Sequence, residues 1–234
     1  AGCPLDQMRY FDRAGVVLQQ RQLLASSSAR SCDYPGGPVE IGYGGARGGG
    51  KSFWGMAQMG LDDCQRVEGL KCLMLRKVGK ANTEQMEDLR RRVLANVRHQ
   101  FTSHRGLLTF ENSSRIVTGH FQNESDIDSY LGLEYDVILV EEATTLSFRK
   151  YQDIRTCLRS SKENWRPRLY ATTNPGGVGH AWFKDRFIKP NKNGTEVDTR
   201  FISARVSDNA FNNAEYVKVL EGLRGWQRRA WADG

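Results

Sequence analysis

No apolar run in this 234-residue chain approaches the roughly 20 residues that a membrane-spanning helix needs, and no signal-peptide pattern opens it. Cysteine is scarce and shows no C-x-x-C spacing: Cys3, Cys32, Cys64, Cys72 and Cys157 form an odd set. Such a set indicates neither a disulfide framework nor a zinc site, so a reducing cytosol is the expected compartment. The four histidines (His99, His104, His120 and His180) are scattered, which argues against metal ligation by imidazole. Internal repeats and low-complexity tracts are also missing.

What is present is an ordinary globular composition, 39% hydrophobic and 26% charged, in a length that suits one large domain or a domain with an appendage. The formal net charge of +7 favours a polyanionic partner, because phosphate contacts dominate nucleic-acid affinity.

Residues 5–30 read as helical with a break near Ala14-Gly15, followed by a Gly/Pro-rich loop through 31–38. Strand candidates follow at Val39–Tyr43, Lys71–Lys77, Asp136–Val140, Leu169–Thr173 and Thr199–Arg205. Leu107–Phe110 and Arg115–His120 flank Asn112-Ser113-Ser114, a hairpin signal. Helices are predicted over 51–66, over 82–101 and over 149–160, with two more at about 213–222 and 224–232. In 82–101 the apolar face is Met86, Leu89, Val93, Leu94, Val97 and Phe101, opposite Arg90, Arg91 and Arg92. Strands alternating with helices predict an α/β fold around a mostly parallel sheet with an added antiparallel hairpin. The expected layout is a helical lead-in at 1–37, a core at 38–205 and a C-terminal helical segment at 206–234.

Between the first strand and the next helix lies Gly45-Ala46-Arg47-Gly48-Gly49-Gly50-Lys51-Ser52, a full match to the phosphate-binding pattern G-x-x-x-x-G-K-[ST]. Glycines let successive backbone N–H groups turn toward anionic oxygens, and the following helix offers its positive end. Lys51 would reach the β- and γ-phosphates, and Ser52 would ligate Mg²⁺. Val137-Ile138-Leu139-Val140 then ends in Glu141-Glu142, two acids at the end of a buried strand. Glu141 suits the Mg²⁺ shell through water, and Glu142 suits orienting and deprotonating the attacking water. Thr172-Thr173-Asn174-Pro175-Gly176-Gly177 closes the next strand, where Thr173 or Asn174 could sense the γ-phosphate. A plain strand-to-turn junction explains that last segment equally well from the residues alone.

GGARGGGKS, VILVEEAT and ATTNPGG, in this order, resemble the ATPase domain of the large terminase subunit of tailed double-stranded DNA phages. The resemblance spans nearly the whole chain. It implies a RecA-like core, ATP and Mg²⁺ as cofactors, and translocation of duplex DNA into a procapsid in the host cell cytoplasm. It also implies a portal protein, a small terminase subunit and a ring, usually of five, with a monomer in isolation as the alternative. Lys51 and Ser52 match the Walker A pair, Glu141 the Walker B acid, Glu142 the catalytic acid, and Thr172, Thr173 and Asn174 the coupling segment. Arg47 matches a basic position inside the loop. Gln22, with Gln19 as the alternative, falls where the family places an adenine-reading glutamine, and Arg76 where it often has a basic residue near the nucleotide.

Two departures stand out. Glu141 replaces the aspartate of many P-loop enzymes, and its extra methylene still allows water-mediated metal contact. Tyr130-Leu131-Gly132 lacks the arginine that some terminases carry before the Walker B acids. The candidates for a trans-acting finger, or for DNA contact, are Arg149, Arg155 and Arg159. Arg155 and Arg159 stand at i, i+4 on the predicted helix, followed by Lys162. No carboxylate-rich nuclease segment follows Gly234, so no DNA cleavage is expected. The rival readings are another DNA-stimulated P-loop ATPase or helicase, and a nucleotide-gated ring scaffold. A GTPase is disfavoured because Asn191-Lys192-Asn193-Gly194 lacks the aspartate of Asn-Lys-x-Asp, and the transporter signature Leu-Ser-Gly-Gly-Gln is absent.

Overall fold

A computed structural model describes residues 4–77 and 80–228. Two helices, α1 (Leu5–Arg13) and α2 (Gln20–Ser31), precede β1 (Glu40–Gly45) and α3 (Lys51–Ala57). The helix begun by α3 continues through a π-helical stretch, Gln58–Asp63, into α4 (Cys64–Arg66). Next come β2 (Lys71–Lys77), α5 (Lys80–Val93), β3 (His99–Thr102), β4 (Leu107–Phe110) and β5 (Arg115–Phe121). The chain then forms β6 (Val137–Val140), α6 (Phe148–Arg155) and β7 (Arg168–Thr173). A further helix follows as α7 (His180–Phe183), a second π-helical stretch (Lys184–Ile188) and α8 (Lys189–Asn193). Last are β8 (Thr199–Ala204), α9 (Ala214–Glu221) and α10 (Gly225–Arg228).

The eight strands among the described residues share one sheet in the order β3-β4-β5-β2-β6-β7-β1-β8. Pairing is parallel from β5 through β8, and antiparallel only for β3–β4 and β4–β5. This is the expected α/β architecture. Alternate residues of the central strands feed two cores. Cys72, Met74, Val137, Leu139 and Tyr170 face one side; Leu73, Leu75, Ile138, Val140, Leu169 and Ala171 face the other. Helices cover both faces, which is why these strands read as unbroken apolar runs. Each fully buried aliphatic side chain contributes about 1.5–3 kcal/mol, so β6 alone is a substantial anchor for the acids that follow it.

The predicted helix over 82–101 is shorter than its apolar spacing suggests. It ends at Val93, and Phe101 belongs to β3, paired with Leu108 of β4. Asn96 supplies the physical reason: its amide donates to the Ala14 carbonyl at 2.9 Å, which fixes a turn in place of continued helix. The predicted helix over 149–160 also stops early, at Arg155, after which Leu158 bridges Tyr135 in parallel. The second C-terminal helix is seen over Gly225–Arg228, and the predicted remainder to 232 lies outside the described residues.

Candidate functional site

The phosphate-binding pattern follows β1 directly. Gly45 holds φ at 126°, and a Cβ there would sit 2.1 Å from the Ala204 carbonyl oxygen, so only glycine passes β8 at this point. Gly50 is the left-handed N-cap of α3 (φ 70°) and starts the helix whose amino end faces the loop. Tyr43 donates from its hydroxyl to the Gly49 carbonyl at 3.2 Å and stacks edge-on against Trp54, pinning the loop to the core.

Lys51 is buried and lies across the loop, donating to the carbonyls of Ala46 (2.5 Å) and Gly45 (3.4 Å). Burial pushes its ammonium down to about 8, with Arg47 adding to the effect and Glu142 and Glu141 opposing it. This lysine is therefore poised to gain from an anion. A bound polyphosphate would hold its proton, so nucleotide affinity should stay nearly flat up to about pH 7.5 and weaken above. By pH 9.5 the loss relative to pH 7 should be about 30-fold if only the ammonium form binds. Titrating a fluorescent nucleotide between pH 7 and 9.5 tests this, and Lys51→Arg should flatten the profile because a guanidinium does not titrate there.

β6 delivers the two acids to the same cleft. Glu141 is buried, and its Oε1 has no hydrogen-bond partner. Burial drives this carboxyl above its ordinary range, against the pull of Arg76 and the Ser52 hydroxyl. An orphaned buried carboxylate oxygen beside Ser52 is the donor that a hydrated Mg²⁺ would satisfy. Among the described residues no group of three or more His, Cys, Asp or Glu forms a metal site by itself. A cation here would therefore depend on phosphate oxygens. Glu142 is half-exposed and adopts a left-handed backbone (φ 51°, ψ 48°) that a non-glycine residue takes only under constraint. Its carbonyl accepts from both the amide and the hydroxyl of Thr145 at 2.8 Å, which fixes that turn. Arg76 contacts Glu141 and Glu142, each at 3.4 Å, and so holds the pair in register.

One cleft of about 410 Å³ gathers Arg47, Gly48, Gly49, Gly50, Lys51, Ser52, Arg76, Glu142, Thr172, Thr173 and Asn174. Arg47 stands exposed at its mouth. The Thr172 hydroxyl accepts the Glu142 amide at 3.4 Å, while Thr173 exchanges a 2.7 Å hydrogen bond with Thr144. The ends of β6 and β7 are thus tied together beside the loop.

Gln22 is buried, with its amide donating to the Gly50 carbonyl (2.9 Å) and its oxygen accepting the Gln19 amide (2.9 Å). Gln19 reaches Asn209 at 2.5 Å and accepts from the Ala210 amide at 3.2 Å. Both glutamines, with Val17, Phe53 and Phe211, line a second hollow of about 590 Å³ next to Gly50. Sequence reasoning missed the contribution of 206–221. Asn209 donates to the Gly48 carbonyl at 2.5 Å, and Tyr216 lines the phosphate cleft. No local motif marks these residues, because their role comes from packing Val206 and Leu220 against Ala46.

The three arginines do not stay together. Arg149 is exposed near the start of α6, seven residues beyond Glu142 and on the cleft's edge of the sheet. Arg155, at the other end of α6, pairs at 2.7 Å with buried Glu40, the first residue of β1. Arg159 lies beyond the helix and pairs with Glu134 at 3.4 Å. The shared helix face expected for Arg155 and Arg159 does not form, because the helix ends between them.

The model of the phage terminase large subunit family matches residues 39–232. Against curated protein sequences the chain has no match. Among solved structures, it superposes on the large terminase of the thermophilic bacteriophage D6E in complex with ATP-gamma-S with a TM-score of 0.71 at 14% identity. That match covers 93% of this chain and 52% of the other. The Thermus phage P74-26 large terminase ATPase domain, as a mutant, matches with a TM-score of 0.70 at 16% identity, covering 100% of this chain and 98% of that one. The HK97 bacteriophage large terminase matches at 0.62 with 12% identity, covering 95% of this chain and 50% of its own. The chain thus spans about half the length of the D6E and HK97 proteins, and likeness at such identities shows a common fold.

Proposed function

The chain belongs to the phage terminase large subunit family, and from that premise we propose that it is an ATPase whose turnover drives double-stranded viral DNA into a procapsid. The observation that carries the reading is the pairing of Glu141 and Glu142 by Arg76 across one cleft from Lys51 and Ser52. Binding and chemistry then have separate parts. The loop amides and Lys51 take the phosphates. Mg²⁺, held by Ser52 and through water by Glu141, would neutralise charge on the β- and γ-oxygens when bound. Glu142 orients and deprotonates water, and Arg47 at the cleft mouth stabilises the charge that develops on the transferred group. Arg76 fixes the two carboxylates. Thr173 and Asn174 report the γ-phosphate.

The hollow beside Gly50 suits the adenine base, with Val17 and Phe211 as apolar walls. In this reading Gln22 shapes the cradle through Gly50, and Gln19 is the glutamine nearer the base. Arg149 is placed to serve a neighbouring subunit in a ring, whereas Arg155 and Arg159 hold the opposite edge of the sheet. The partners that follow are duplex DNA, a portal, a small terminase subunit and further copies, in the host cytoplasm. Residues 1–37, 38–205 and 206–234 act as one ATPase domain.

ATP hydrolysis by the purified chain, with and without duplex DNA, tests the proposal. Turnover should require Mg²⁺, vanish with a chelator, rise with protein concentration and increase with DNA. ATP binding without turnover under all these conditions would favour the scaffold reading instead.

A further inference from the structure

The edge of the sheet that carries the phosphate cleft carries another, of about 580 Å³, on the far side of the end of β7. Thr173 and Asn174 line both. The outer wall of this cleft is the helix over residues 180–193, and it contributes Phe183 and a set at four-residue spacing, His180, Lys184, Ile188 and Lys192. In a regular α-helix each such step turns the face by about 40°, so the four would fan over about 120°. The π-helical stretch Lys184–Ile188 widens the turn and keeps them on one side. π-helical turns are uncommon and recur at functional sites. Here the consequence is concrete: two exposed lysines, Lys184 and Lys192, and the imidazole of His180 face one cleft. None of the residues lining it is acidic. Asp185, on the same helix, is engaged by Lys189 at 2.6 Å. Phe201 supplies apolar surface behind the cations.

We propose that this cleft grips the phosphodiester backbone of DNA, with Lys184 and Lys192 on phosphates, His180 beside them and sugar faces against Phe201. The inference rests on the packaging function proposed above. Two long, exposed cations about 12 Å apart along one helix suit a linear polyanion better than a single compact anion. The position also supplies a mechanical link. The Gly176 amide donates to His180 Nδ1 at 3.3 Å, and Thr173 is bonded to Thr144 beside the catalytic acid. Movement of the β7 end on loss of the γ-phosphate reaches the grip with no intervening element.

The test titrates a fluorescein-labelled duplex against the wild-type chain and Lys184→Glu/Lys192→Glu across a salt series. The double variant should bind at least about tenfold more weakly, and its slope of log affinity on log salt should fall by about two. Lys184→Gln/Lys192→Gln should fall between it and the wild type. Arg91→Glu/Lys218→Glu, an equal change of charge at two exposed positions elsewhere, should shift binding by less than about threefold. Equal losses in the two charge-reversed proteins would mean that bulk charge alone matters, and the grip would be rejected. Unchanged duplex binding, or a loss confined to a mononucleotide probe, would reject it too. If DNA stimulates the ATPase of the wild type and all variants alike, the grip falls while the motor reading stands. If the wild type neither binds duplex nor responds to it, both fall.

Discussion

Glu142→Gln is expected to lower steady-state ATP hydrolysis by about 10²–10⁴-fold while nucleotide affinity changes by less than about threefold. Glutamine keeps the shape and can still face water, but it cannot take a proton at neutral pH. The residue is half-exposed at the cleft, and its neighbour Arg76 also holds Glu141. Removing one carboxylate charge therefore leaves Glu141 partnered and the cradle intact. A measured split between binding and turnover identifies Glu142 as the base. Undiminished turnover would place the base elsewhere, and joint loss of binding and turnover would point to a collapsed site. The left-handed backbone at Glu142 makes the same substitution informative about strain. A Glu142→Gly variant relieves the backbone constraint, yet it should be as inactive as the glutamine variant, because the missing function is chemical rather than conformational.

The second large effect concerns stability. Glu40 is fully buried, and its carboxylate takes Arg155 at 2.7 Å, Arg186 Nε at 2.7 Å and the Tyr151 hydroxyl at 2.7 Å. Burial and this carboxylate together push the Tyr151 phenol well above its ordinary range, so it remains a donor. Glu40→Ala leaves two guanidinium groups without their shared counter-charge, and it should cost about 3–5 kcal/mol of unfolding free energy. Urea melts of wild type and variant measure it. Arg155→Ala should also lower the melting midpoint, by less, since Arg186 still partners Glu40. A finger role for Arg155 predicts the reverse pattern, unchanged stability with lost turnover in mixed rings.

These outcomes separate what could be read in the residues from what could not. The glycine-rich loop after β1 and the acid pair after β6 were legible because each is a contiguous run of neighbours in sequence. Alternation of burial along β2, β6 and β7 was legible for the same reason: apolar runs between turn signals leave few alternatives. The length of α5 was not, since Val97 and Phe101 continue its spacing by coincidence while Asn96 is captured by α1's end. Arg155 and Arg159 were grouped on a helix that stops between them. Asn209 and Tyr216 carried no signal, because only the chain's return to Gly48 gives them a role. Both π-helical stretches were invisible, as they are set by packing rather than by composition.

The sheet order has one more consequence, for the history of the chain. β1, which ends in the phosphate loop, pairs only with β7 and β8, whose registers put Leu169 and Thr199 beside Glu40. Its partners are thus separated from it by more than half the chain, whereas β2 through β6 find theirs nearby or within the intervening stretch. Distant pairings form late because long loops must close first. During synthesis β1 therefore waits, unpaired, until the chain has emerged at least as far as Thr173.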